Sequence, residues 1–121
     1  MKSAQPDILL IEDDLGVRDG LADLLSVVAP VVPVDSWRKA LAHVEHEKVG
    51  LVVTDYRMRE AAGESELLAA VRARRVPVIL CTGAHPSEMQ QALAQFRPDQ
   101  LFAKPFEVDA MLDAAQRLYR R

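Results

Sequence analysis

The chain has 121 residues with 15 Lys+Arg against 18 Asp+Glu, a formal net charge of −3; half of it is apolar and 27% charged. Those values belong to an ordinary globular chain, and the length suits one domain, 1–121, with a full core and no room for a second. The acidic balance argues against a general nucleic-acid binder, which needs a basic face.

The longest apolar run is five residues, Leu67 to Val71, far short of a membrane span. The start, MKSAQPD, lacks the apolar stretch of a signal peptide. The lone cysteine, Cys81, excludes an internal disulfide and a multi-cysteine metal site. The expected compartment is the cytoplasm.

In chain order, the first apolar run, Ile8–Ile11, leads into Glu12, Asp13 and Asp14. Val17, Leu21, Leu24, Leu25 and Val28 then share one helical face, with Asp14 placed as its N-cap. Val31–Val34 reads as a second strand, flanked and interrupted by Pro30 and Pro33. A proline inside a strand belongs at a sheet edge. Trp37, Ala40, Leu41 and Val44 form the second helical stripe, with His43 and His46 on its solvated side. A third strand, Leu51–Val53, runs to Asp55; Leu67, Leu68 and Val71 mark a third helix. Val76–Cys81 leads to Thr82, followed by a stripe of Met89, Ala92, Leu93 and Phe96. Leu101–Ala103 leads to Lys104 and Pro105, and Val108, Met111, Leu112, Ala115 and Leu118 close the pattern.

Strands that are continuously apolar are buried on both faces, as in a parallel sheet covered by helices. The reading is an α/β fold: a flavodoxin-like (βα)5 doubly wound sheet, with five parallel strands in order 2-1-3-4-5. Ligands of such sheets sit beyond the carboxyl ends of the strands, at the switch point between strands 1 and 3. There the sequence gathers Glu12, Asp13, Asp55, Thr82 and Lys104 from four separate strands. Adjacent carboxylates repel unless a cation balances them, and a hard ion such as Mg²⁺ takes one or two carboxylates while keeping waters. A carboxylate on strand 3 is then free to act as nucleophile toward a phosphoryl group, with Lys104 and the Thr82 hydroxyl spreading its charge.

The segments ILLIEDD, LVVTDYRM, VILCTG and FAKPF, in this order, resemble the receiver domain of bacterial two-component response regulators. The resemblance covers essentially the whole chain. It implies that Asp55 accepts a phosphoryl group from a sensor histidine kinase, a phosphotransfer protein or a small phosphodonor. It implies that Asp13 and Asp55 ligate Mg²⁺ directly, Glu12 through bound water, and the backbone carbonyl of Arg57 completes the set. Thr82 would bond a phosphoryl oxygen, Lys104 would pair with the phosphoryl group, and the Lys104–Pro105 peptide would be cis. Signalling would pass by protein contact, to a downstream partner or to an output domain following Arg121. Homodimers would form through helix 4, strand 5 and helix 5, and this domain itself would bind neither nucleic acid nor membrane.

The chain departs from the family at two positions. The aromatic that stands three residues before the strand-5 lysine is Leu101 here, with Phe102 expected on the other face of the strand. The proline four residues after the phosphoacceptor is Arg59, which gives a more charged and less constrained loop, while Gly63 matches the family's glycine. Arg57 is expected to lie over the phosphoryl group and set its lifetime. Leu101 keeps open an interaction module that works without phosphorylation. A Mg²⁺ phosphohydrolase of the haloacid-dehalogenase kind would need a second aspartate where Arg57 stands. An FMN protein would need a glycine-rich and hydroxyl-rich nest where EDDLG stands.

Overall fold

A computed structural model describes residues 5–83 and 85–120. Strand and helix alternate as β1 (Asp7–Ile11), α1 (Leu15–Leu25), β2 (Val31–Val34), α2 (Trp37–His46), β3 (Val49–Asp55), α3 (Glu64–Ala73), β4 (Val78–Thr82), α4 (Pro86–Phe96), β5 (Gln100–Ala103) and α5 (Val108–Leu118). Among the described residues the strands form one five-stranded parallel sheet in the order β2-β1-β3-β4-β5. This is the doubly wound, flavodoxin-like order read from the sequence. Pro33 sits on the edge strand opposite Leu10, where its missing N–H breaks no central ladder.

Successive strand residues point to opposite faces, so each buried strand feeds two cores. Leu9, Ile11, Val52 and Leu80 pack with Trp37, Val44, Leu67, Val71 and Phe96 of α2, α3 and α4. Ile8, Leu10, Leu51, Val53, Ile79 and Cys81 pack with Leu21, Leu25, Met111, Ala114 and Ala115 of α1 and α5. Leu101 joins the first cluster and Phe102 the second, which places the two on opposite faces of β5. No described helix is long and apolar enough to cross a membrane.

Local chemistry sets the element ends. Asp14 caps α1 by accepting the Val17 N–H at 3.0 Å, and Ser36 caps α2 through the Lys39 N–H at 3.2 Å. Gly63 precedes α3 at φ 94°, a left-handed backbone that favours glycine. β4 starts two residues later than its apolar run. Pro77 has no N–H to give, and the Val78 N–H goes to the Asp99 carboxylate at 2.8 Å. β3 is longer than its run because Val49, Thr54 and Asp55 also pair with neighbouring strands, with Gly50 at a shift in the register to β1.

Three residues assigned to apolar stripes lie at the stripes' margins and are exposed: Val17 at 40%, Leu93 at 46% and Val108 at 52%. His43 also differs from expectation. It is not solvated but largely covered, with Nε2 3.0 Å from Asp7 Oδ2.

Candidate functional site

Parallel strands that enter from one end all finish at the other, so the residues following β1, β3, β4 and β5 share one edge. Ladder bonds extend past the strand ends and fix these backbones. The Glu12 N–H donates to Val34 O at 3.0 Å, the Tyr56 N–H to Cys81 O at 2.8 Å, and the Lys104 N–H to Thr82 O at 2.8 Å. The Lys104–Pro105 peptide is cis, as the resemblance implied.

At the centre, Lys104 Nζ lies 3.0 Å from Asp55 Oδ1 and 3.4 Å from Glu12 Oε1. Glu12 is buried, and its other oxygen accepts the Asp14 N–H at 3.2 Å. Burial raises the Asp55 carboxyl above its ordinary value, with Lys104 pulling it partly back. Burial likewise raises Glu12, against the Asp14 N–H and Lys104. Burial alone would lower the Lys104 ammonium, but its bond to Asp55 and the charges of Asp55 and Glu12 hold it above its ordinary value.

The remaining residues picked out from the sequence stand in two side arrangements. Asp13 Oδ2 accepts the backbone N–H of Arg59 at 2.8 Å, with the Arg59 Nε 3.8 Å away. The loop expected to be less constrained is therefore tied to the carboxylate cluster by the residue that replaces proline. Thr82 is buried and donates its hydroxyl to Glu88 Oε1 at 2.9 Å. Glu88 Oε2 in turn lies 3.0 Å from Arg57 Nη2. The structure thus turns the Arg57 guanidinium toward α4. Cys81, between these groups in the sheet, is buried and its thiol is pushed up to about 12. It stays protonated and inert, the small strand residue read from the sequence.

Glu88 was missed from the sequence. Its position in the first turn of α4 reads as an ordinary match to the helix dipole, and nothing in the spacing joins it to Arg57. For a cation, the donor set is all hard oxygen. Two carboxylates lean on one ammonium while a third is held aside by Arg59. Among the described residues no three acidic, histidine or thiol side chains form a ready cage. A partly protein-bound, water-keeping ion such as Mg²⁺ fits that arrangement.

Comparison with known proteins gives the family. The response regulator receiver domain family matches residues 8–116. The chain is 36% identical over 114 residues to the response regulator protein FleR of Pseudomonas aeruginosa, covering 91% of this chain and 24% of that protein. It is 30% identical over 118 residues to the C4-dicarboxylate transport transcriptional regulatory protein DctD of Rhizobium meliloti, covering 95% and 25%. It thus spans about a quarter of the length of either relative. Among solved structures, a CheY-like receiver domain protein from Methanospirillum hungatei superposes with a TM-score of 0.79 at 23% identity, covering 94% of this chain and 93% of that one. A response regulator receiver protein from Pseudomonas putida gives 0.78 at 23%, covering 96% and 99%. With the five-stranded order, the acidic edge and a family match over 8–116 all in agreement, the chain belongs to the receiver domain family of two-component response regulators.

Proposed function

We propose that Asp55 accepts a phosphoryl group from a histidine kinase phosphohistidine, or from a small phosphodonor, as an acyl phosphate. The carrying observation is the placement of Asp55 at the end of β3 with Lys104 at 3.0 Å and the Thr82 hydroxyl on the adjoining strand. An Asp55 oxygen attacks phosphorus, the bond from phosphorus to the donor's nitrogen or oxygen breaks, and the donor leaves with that electron pair. Lys104 is already on the acceptor carboxylate and stays within reach of the incoming oxygens, so the added charge meets a fixed cation. Glu12, Asp13, Asp55 and the Arg57 backbone carbonyl would hold Mg²⁺, which when bound offsets the charge on the phosphoryl oxygens. The domain assists its own phosphorylation and dephosphorylation and is otherwise a signalling module, not an enzyme with a turnover substrate. It acts as a single domain over 1–121. Output passes by protein contact, to a downstream partner, to an output domain of a longer chain, or through a homodimer built on α4, β5 and α5.

Incubation with acetyl phosphate and Mg²⁺ is expected to add one base-labile phosphoryl group by intact mass, and Asp55→Asn to add none. Equal labelling of both, or of neither, overturns the reading. A second reading, an interaction module independent of phosphorylation, draws on Leu101 in place of the aromatic and on the engagement of Thr82 by Glu88. Absence of labelling in the wild type is the result it predicts.

A further inference from the structure

Glu88 gathers donors from two other segments. Its carboxylate accepts the Thr82 hydroxyl at 2.9 Å and pairs with Arg57 Nη2 at 3.0 Å. The Glu88 side chain is 12% exposed, whereas the Arg57 side chain is 78% exposed. The Thr82 bond, with Arg57 adding to it, holds the Glu88 carboxyl below its ordinary value, so the group is an anion at neutral pH.

The segments that carry these donors run beside Asp55 in the sheet and the chain. Thr82 directly follows Cys81, the β4 partner of Asp55 in the sheet register, and Arg57 lies two residues past Asp55. A hydroxyl and a guanidinium are the groups that suit phosphoryl oxygens. Here a carboxylate of the same chain already occupies them. Thr82 has one hydroxyl proton and can donate it either to Glu88 or to a phosphoryl oxygen, not to both. A phosphoryl group on Asp55 would carry more charge and more acceptor oxygens than a carboxylate, so it competes for the same donors. Glu88 sits on α4, so the outcome of that competition is felt directly by the helix, without an aromatic on β5. Leu101, at that place, has no polar atom to take part.

We propose that Glu88 is a resident anion: it holds Thr82 and Arg57 while Asp55 is unmodified, and its displacement by the phosphoryl group carries the change to α4. The inference rests on phosphorylation of Asp55 as proposed above. Glu88 is a positioning residue, acting through Thr82 and Arg57. Because it favours the unmodified state, its removal shifts the equilibrium toward the modified one.

The test uses beryllofluoride with Mg²⁺ as the phosphoryl mimic, titrated by amide NMR, alongside labelling of the wild type by acetyl phosphate. Glu88→Gln, which keeps the shape and loses the charge, and Glu88→Ala are both expected to bind the mimic about tenfold more tightly than wild type, the equivalent of one charge-assisted hydrogen bond. Their urea midpoints are expected not to rise, a split that a merely structural role would not give. In a Thr82→Ala, Arg57→Ala background, Glu88→Ala is expected to change affinity less than about twofold, since the competed donors are gone. If the wild type binds and both Glu88 variants bind equally or more weakly, this inference falls and the phosphoacceptor reading stands. Tightening that persists without Thr82 and Arg57 also overturns it. If the wild type neither binds the mimic nor takes label, the phosphoacceptor reading falls and this inference with it.

Discussion

Lys104 and Asp55 meet at 3.0 Å from the ends of β5 and β3, two strands separated in the sheet by β4. The two partners sit at different depths, the lysine side chain 33% exposed and the carboxylate 13%. That difference explains why the pair leaves both groups displaced upward. Burial dominates at Asp55 even with the lysine attached, while the lysine, burdened by its own burial, gains more from Asp55 and Glu12 than it loses. One ammonium serves as internal counter-charge for two carboxylates and cannot balance both.

A pH dependence follows. In metal-free buffer the domain is expected to gain stability as pH falls from neutrality toward the ordinary carboxylate range. Asp55 and Glu12 titrate higher in the folded state than unfolded, so in that window the folded state binds more protons and stability drops as pH rises. Lys104 contributes at the other end: its part is complete below its ordinary 10.5 and is lost as pH climbs through its raised value. Lys104→Ala is expected to cost about 1–2 kcal/mol at neutral pH, less than a fully buried pair because the lysine is a third exposed, and to enlarge the acid-side gain. Urea unfolding across the pH range measures both, and a flat wild-type profile contradicts the argument.

Arg59 gives Asp13 a backbone N–H that a proline could not. Arg59→Ala keeps that bond and removes the guanidinium 3.8 Å away, a competing positive charge. Mg²⁺ is therefore expected to bind about two- to threefold more tightly in Arg59→Ala at low salt, the size of an exposed ion pair, with the difference fading at high salt. Calorimetric titration with Mg²⁺ reads it. Weaker binding in Arg59→Ala would mean that the guanidinium orders Asp13 for the ion rather than opposing it.

The fold was legible because each central strand is a short apolar run and Pro33 marks the edge. The central cluster was legible because Glu12, Thr82 and Lys104 each follow such a run directly and Asp55 follows one after Thr54. Distant charges brought together by side-chain reach were not. Glu88 belongs by spacing to a helix start, and only the folding of the β3–α3 loop over α4 gives it Arg57. In the same way, His43 read as solvated because Asp7 is 36 residues away along the chain. Helical period named the apolar stripes but not their covered width, which is why Val17, Leu93 and Val108 were placed inside and lie outside.

Gly50 is expected to be intolerant of any side chain. A Cβ there would stand 2.3 Å from Arg120 O and 2.6 Å from the Tyr119 ring, closer than atoms can approach. The Arg120 N–H donates to Gly50 O at 3.0 Å, and the Tyr119 hydroxyl donates to Pro6 O. Gly50→Ala must push Tyr119 and Arg120 off β3, at a cost of about 1–3 kcal/mol, with loss of hydrogen-exchange protection at the Arg120 amide. Unchanged stability and retained protection would show that the segment can yield without detaching.

Trp37 is among the largest fully buried side chains, 1% exposed and packed at 5.9 Å between ring centroids against Phe96. Its indole N–H has no hydrogen-bond partner among the described residues. A buried donor left unmatched costs about 1–3 kcal/mol, so part of what the ring contributes by packing is offset by its own nitrogen. Trp37→Phe removes that donor along with some apolar area, and the two effects oppose. The expected loss is within about 1 kcal/mol, against about 3–5 kcal/mol for Trp37→Ala, which keeps neither the area nor the contact with Phe96. Urea midpoints of the two variants decide it. A Trp37→Phe loss close to that of Trp37→Ala would mean that the indole N–H is satisfied in solution, by a water reaching the sheet between α2 and α4.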